Sequence, residues 1–344
     1  MSSALENLAK PKYKVHFLGL KDADCIIISY QKNILAKRYI AVVDAGNAKD
    51  TAEIKKFLWD TYNTYTIDLA VCTHPDRDHK GGFFDLLDDK DITITEFWWR
   101  NPYCTITDDE FAKMKREDSK QKACEKCFDH PTDNKRNLLE IARRKCQKCK
   151  NAIPGTTHET IPLSVLGPSK GLFHQAALGI VKEFAELKAD PDLSDYDETV
   201  EITEEGATGV LNEVIDESYT NMASIVMLFQ PAQSFKILLA GDASLNSLRQ
   251  IFDANKSLLK YCILKVPHHG SRHNLDTPLI DDMQPSASII CAGGNEKHPN
   301  SNLVYYLSKY GRVYSTHKTP RLFYTSEKVL NPATPLKEKI NRKH

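Results

Sequence analysis

Ten consecutive residues constrain this chain more than any others: Thr73-His74-Pro75-Asp76-Arg77-Asp78-His79-Lys80-Gly81-Gly82, which closes the predicted strand 67–73. Four ligand-type side chains, His74, Asp76, Asp78 and His79, fall within six residues. Aspartate and histidine rarely crowd a strand end for packing, and a strand end is a rigid place from which to aim a tight ligand loop. Mixed imidazole and carboxylate donors suit zinc or manganese. The alternative is a hydrophilic turn with capping aspartates; the density of ligand types favours a metal.

Further signals lie downstream. Leu238-Leu239-Ala240-Gly241-Asp242 puts a carboxylate at the end of a buried strand. Lys265-Val266-Pro267-His268-His269-Gly270-Ser271 puts two histidines and a serine at the end of another. Gly293-Gly294-Asn295 and His298-Pro299 follow a third. Each alone is weak, since an Asp after a Gly is commonly a turn residue. Together, several strands deliver His or Asp to one edge, as a binuclear metal site on a sheet requires.

The intervening sequence reads as α/β. Strands are predicted at 13–30 (two), 39–43, 67–73, 92–100, 161–166, 224–229, 236–240, 262–266, 288–291, 312–314 and 322–324. Residues 51–62 carry Ile54, Phe57 and Leu58 at helical spacing. Further helices are predicted at 83–87, 171–187 and 303–310. The stretch 105–157 is charged and helical in composition. Residues 189–217 hold many carboxylates and no Lys or Arg, the composition of a solvated or disordered loop.

These motifs resemble the metallo-β-lactamase superfamily, whose signature is His-x-His-x-Asp-His. The variant here, His74-x-Asp76-x-Asp78-His79 followed by Gly81-Gly82, is similar to the hydrolase domain of ComEC-family DNA-uptake proteins. The likeness extends to Val43-Asp44-Ala45-Gly46, Asn221-Met222-Ala223-Ser224, Gly241-Asp242, His268-His269 and His298-Pro299. It implies a four-layer αββα sandwich over residues 1–328, with the site at one edge of the paired sheets. It implies that His74 and Asp76 hold one divalent cation, that Asp78, His79 and a downstream His hold another, and that Asp242 bridges them. His268 comes first off its strand and is the expected ligand, leaving His269 as general acid; the reverse assignment stands beside it. Asn221 stands where many members carry a further His, so it is a weaker ligand or only a supporting group. Asp44 is expected to support rather than ligate. No stretch reads as the ComEC membrane channel, so only the hydrolytic chemistry carries over.

The insertion 105–157 is not part of the superfamily core. Cys124-x-x-Cys127 and Cys146-x-x-Cys149 are separated by 18 residues. Two such pairs predict a structural tetrahedral zinc site, against two disulfides or four free thiols. Its lysines and arginines, Arg143, Arg144, Lys145 and Lys148 among them, could stabilise thiolates or contact phosphates. Trp98 and Trp99 just before it could stack bases, though strand alternation buries at least one.

Composition limits the partners. Lys+Arg and Asp+Glu both number 46, so no chain-wide basic field exists to capture nucleic acid. Single cysteines in apolar runs suit reduced thiols, and residues 1–14 contain no apolar run. A cytoplasmic protein with no membrane span and a basic tail at 329–344 is expected. The expected reaction is phosphodiester hydrolysis, on DNA or another nucleic acid. Two cations about 4 Å apart would share a bridging hydroxide. Lys265 would neutralise the phosphoryl oxygens, and His269, or Ser271 through water, would protonate the leaving oxygen. Two alternatives remain: a small-substrate esterase or lactonase, and a partner-gated subunit that docks a protein through its insertion.

Overall fold

Successive residues along the central strands belong to different apolar cores. Ile27, Val42 and Ala70 pack in one cluster, while Ile26, Ile28, Ala41, Val43, Leu69 and Val71 pack in another. This period of two, with both faces buried, explains why the strands read as continuous apolar runs. The computed structural model describes residues 9–20, 23–133, 135–184, 204–213, 218–293, 298–316 and 321–325.

Thirteen strands form two mixed sheets among these residues. In the first, β1 (Lys12–Leu18), β2 (Ile26–Gln31), β3 (Tyr39–Val43), β4 (Thr66–Val71), β5 (Thr93–Trp99) and β6 (Lys148–Asn151) follow in order, with β13 (Arg321–Thr325) beside β1. The second runs β12 (Arg312–Ser315), β11 (Ala287–Ile290), β10 (Ile263–Lys265), β9 (Phe235–Leu239), β8 (Val226–Ala232), β7 (Leu163–Gly167). Between the sheets, Val43, Val71 and Trp98 meet Met227, Phe229, Leu239 and Ile289. On the outer face of the first sheet, helices Thr51–Tyr62 and Arg77–Asp88 supply Ile54, Phe57, Phe83 and Phe84. On that of the second, Leu245–Ala254, Thr277–Met283 and Ser301–Leu307 supply Leu248, Leu279 and Leu303. The layers are therefore αββα.

Parallel pairing decides where the chemistry goes. Strands β3, β4 and β5 are mutually parallel, and so are β9, β10 and β11. Within each sheet these carboxyl ends share an edge, and residues 44, 73–79, 242 and 268–269 follow them directly. In open α/β sheets such carboxyl ends are where ligands bind.

Three expectations are corrected. The four-cysteine zinc site is not formed. Among the described residues, the groups whose ligand atoms converge are built of His and Asp only. Cys124 and Cys127 sit in an apolar layer with Ala123, Phe128 and Leu138. Burial pushes the Cys124 thiol up to about 11 and that of Cys127 still higher. Cys146 and Cys149 lie at the start of β6, partly buried against the same apolar layer. Second, the insertion is not wholly helical: after helices Asp108–Lys113, Lys120–Glu125 and Leu138–Lys145 it adds β6 to the sheet edge. Third, part of the acidic stretch is a packed helix, Glu204–Glu213, with Ala207, Val210 and Leu211 buried. The rest of 189–217, the Gly294-Asn295 turn and the tail 329–344 lie outside the described residues.

Among the described residues no helix is long and apolar enough to cross a membrane.

Candidate metal centre

Helix Arg77–Asp88 starts inside the motif, earlier than the predicted 83–87, so Asp78 and His79 ride its first turn. What holds that turn in place is the loop after β3. The Ala45 amide donates to the His79 carbonyl at 2.8 Å, and the Gly82 amide to the Gly46 carbonyl at 3.0 Å. This approach requires glycine: a Cβ on Gly82 would lie 2.0 Å from the Ala45 carbonyl oxygen.

Three imidazoles are oriented by the same device. The Asp44 carboxylate accepts from the Thr73 amide at 2.8 Å, the Thr73 hydroxyl at 2.7 Å and His79 Nδ1 at 2.9 Å. Because Thr73 donates its hydroxyl proton to Asp44, its oxygen accepts from His74 Nδ1 at 3.0 Å. His269 Nδ1 lies 2.8 Å from the Cys291 carbonyl, which can only accept. All three rings are therefore anchored at Nδ1 and turn Nε2 inward, where a divalent cation would take the place of any proton held there.

Those nitrogens converge on one carboxylate. Asp242 Oδ2 is 3.3 Å from His79 Nε2, 3.9 Å from His269 Nε2 and 4.0 Å from His74 Nε2. Asp78 Oδ2 stands 2.9 Å from His269 Nε2 and 3.4 Å from His79 Nε2. The ligand atoms group as His74–His79–Asp242, as Asp78–His79–His269 and as Asp24–Asp44–His79. The Nε2 atoms of His74 and His79 are buried and make no hydrogen bond. Orphaned buried nitrogens facing carboxylates fit a divalent cation, so the donor set can hold one or two.

The electrostatics point the same way. Burial opposes charge on His79, but Asp242, Asp78 and Asp44 raise it well above the ordinary imidazole value. Burial would lift Asp78 and Asp242; His79 and other cations hold both far below the usual carboxylate range. A cluster that draws protons onto buried imidazoles offers the same attraction to a metal ion, which would compete for those lone pairs.

The remaining predicted residues sit around this core. Asp76 is 3.4 Å from His74 Nε2 and accepts from the Thr220 hydroxyl at 3.1 Å. His268 is half-buried; its Nδ1 lies 3.2 Å from Asn274 Oδ1 and 3.4 Å from Asn221 Nδ2. The geometry thus groups His269, not His268, with Asp78 and His79. Lys265 is fully buried beneath the cluster, bonded to Asp24 and to the Gly241 carbonyl, with Asp242 Oδ1 at 3.5 Å. Ser271 is also buried, its hydroxyl oxygen accepting from the His273 amide at 3.2 Å. The His298 ring lies 5.5 Å from that of His268.

The four cysteines belong to none of these groups, and two of the insertion's cations face carboxylates of the chain itself. Arg143 forms a two-bond pair with Glu125 at 2.7 and 3.0 Å, and Lys148 lies 3.5 Å from Glu159. Trp98 and Trp99 are both buried, so neither is placed to stack a base.

Sequence reasoning missed Asp24, which joins Lys265 and stands 3.6 Å from His269 Nδ1. Its signal was a carboxylate directly before the apolar run Cys25–Ile28, a costly place for an unpaired charge. Backbone strain marks the same region. Asp44, His268 and His269 have φ of 57°, 46° and 51°, a conformation uncommon outside glycine.

No family model matches the chain. A stretch of 115 residues, 33% of the chain, is 28% identical to the ComE operon protein 3 of Bacillus subtilis (strain 168) and spans 15% of that protein. Superposed on the metallo-β-lactamase SMB-1 in a complex with mercaptoacetic acid, the chain gives a TM-score of 0.37 at 10% identity, over 88% of this chain and 94% of that one. Against the Rm3 metallo-β-lactamase the TM-score is 0.36 at 10% identity, over 86% and 87%. Scores at this level carry no argument for fold or chemistry.

Proposed function

We propose that this chain is a metal-dependent hydrolase that cleaves phosphodiesters of nucleic acid, with two divalent cations held at the His/Asp cluster. One observation carries the reading: His74, His79 and His269 each anchor Nδ1 and turn Nε2 towards Asp242 Oδ2. His74, His79 and Asp242, with Asp76 at the rim, would hold one cation. Asp78 and His269 would hold the other, with the single Nε2 of His79 available to one cation or the other and the two Asp242 oxygens within reach of both groups. Divalent cations supply Lewis acidity when bound, acidifying water and offsetting charge on phosphoryl oxygens.

The chain's own residues do the rest. Asp44 and the Cys291 carbonyl keep the imidazoles in the ligating tautomer. Lys265 and Asp24 fix Asp242 from below and are positioning residues, since neither reaches the surface. His268, the more exposed imidazole of its pair, holds the proton for the leaving oxygen. Asn221 positions His268.

The test is a substrate panel. Chelator-stripped protein is reloaded with Mn²⁺ or Zn²⁺ and given single- and double-stranded DNA, RNA, bis(p-nitrophenyl) phosphate and p-nitrophenyl acetate. Metal-dependent cleavage of phosphodiesters supports the reading. Metal-dependent ester hydrolysis without phosphodiester cleavage contradicts it.

A further inference from the structure

A cleft of about 690 Å³ opens between the insertion and helix Leu245–Ala254. Its floor is Arg100, which is only 6% exposed. The Arg100 guanidinium lies 4.2 Å over the Phe173 ring, and its Nη1 donates to the Ala152 and Pro168 carbonyls, both at 3.3 Å. Among the described residues its other nitrogens make no hydrogen bond and no Asp or Glu lines the cleft. A buried cation without an anion is costly and gains most from one that arrives. Burial pulls Arg100 down to about 10, still fully charged at neutral pH.

The other polar groups on the wall offer donors too. Asn101 and Asn151 direct their Oδ1 atoms to the amides of Tyr103 and Asn101, at 3.0 and 2.9 Å. Their Nδ2 groups make no hydrogen bond among the described residues. Lys170 is exposed at the rim, in the first turn of helix Lys170–Glu183. Ile153, Pro154, Leu166 and Ile251 form an apolar wall. Arg100 and Phe173 also line a separate small void, whose lining includes Thr73 and His74.

We propose that this cleft binds one nucleotide of the nucleic-acid strand, its phosphate held by Arg100 and Lys170 and its base laid against the apolar wall. The proposal rests on the phosphodiesterase reading and names how that site recognises its substrate. Donor-rich polar groups without a carboxylate select an oxyanion, and the apolar wall selects the organic group attached to it.

The experiment is calorimetric titration of the full-length, metal-loaded protein with thymidine 5′-monophosphate and with thymidine. The monophosphate binds and thymidine binds at least about tenfold more weakly, as expected for losing charge-assisted hydrogen bonds. Lys170→Glu and Arg100→Gln each weaken the monophosphate by about tenfold, while Asp242→Asn changes it by less than about twofold. Cys104 lines the cleft and is exposed, so the monophosphate slows its alkylation, read by mass spectrometry. Lys170→Glu lies on the surface and serves if Arg100→Gln fails to fold. Equal binding of thymidine and its monophosphate overturns the subsite. So does affinity untouched by Lys170→Glu, or no binding at all while bis(p-nitrophenyl) phosphate is still hydrolysed. Monophosphate binding lost in Lys170→Glu but kept in a protein that hydrolyses no phosphodiester supports the subsite and defeats the hydrolase reading instead.

Discussion

Asp44 Oδ2 stands 2.9 Å from His79 Nδ1 while the same oxygen takes the Thr73 hydroxyl at 2.7 Å. One carboxylate thereby sets the proton position of two imidazoles, His79 directly and His74 through Thr73. Asp44→Asn cannot reproduce this. Its amide must either donate to His79 Nδ1, moving the proton to Nε2, or oppose the Thr73 amide. Divalent-cation affinity should fall about 10- to 100-fold, measured by competition with a chromophoric chelator. Unchanged affinity would remove Asp44 from the account.

Gly82 meets the Ala45 carbonyl oxygen too closely for any side chain. Gly82→Ala should destabilise the fold by about 1–3 kcal/mol or more through overpacking. Gly171→Ala is the control, because nothing lies within 4 Å of the place a Cβ would take there. Urea denaturation should separate the two; equal midpoints would mean that the 44–46 loop does not clamp the metal-site helix.

Lys265 neutralises Asp24 and Asp242 in a fully buried setting. Lys265→Met leaves both carboxylates without their cation and should cost about 3–5 kcal/mol in chelator-treated protein. Saturating divalent cation should restore part of this, since ligand binding to the native state stabilises it. A melting temperature equal to wild type in chelator would contradict the pairing.

The cysteines give a prediction by elemental analysis. Cys124→Ser should leave the metal content unchanged, whereas His79→Ala, which belongs to every converging group, should lower it. Loss of one zinc per chain in Cys124→Ser would reinstate a cysteine site.

Much of the scaffold could be read from the sequence, because strands buried on both faces announce themselves as apolar runs. Helix Thr51–Tyr62 was readable at both ends, with Ile54, Phe57 and Leu58 on one buried face. The motif at 74–79 was legible as a candidate metal site because four ligand-type side chains fall within six residues, while the partners with which they converge, Asp242 and His269, come from distant strands. Other features depend on tertiary context. Strand β6 is lysine-rich, as edge strands often are, so it carries no apolar signature. The cysteine pairs have zinc-like spacing, but one pair is drawn into the apolar layer and the other onto a strand edge. The choice between His268 and His269 was illegible because both adopt positive φ, which breaks the alternation that otherwise predicts side-chain direction.

The most direct measurement is Asp242→Asn, which keeps the shape but removes the anion on which three imidazoles converge. Thermal melting and metal-loaded turnover of bis(p-nitrophenyl) phosphate are recorded side by side. The account predicts a folded protein whose rate falls by about 10³-fold or more, since several kcal/mol of charge stabilisation is lost. A variant that melts like wild type and turns over at near the wild-type rate would contradict it.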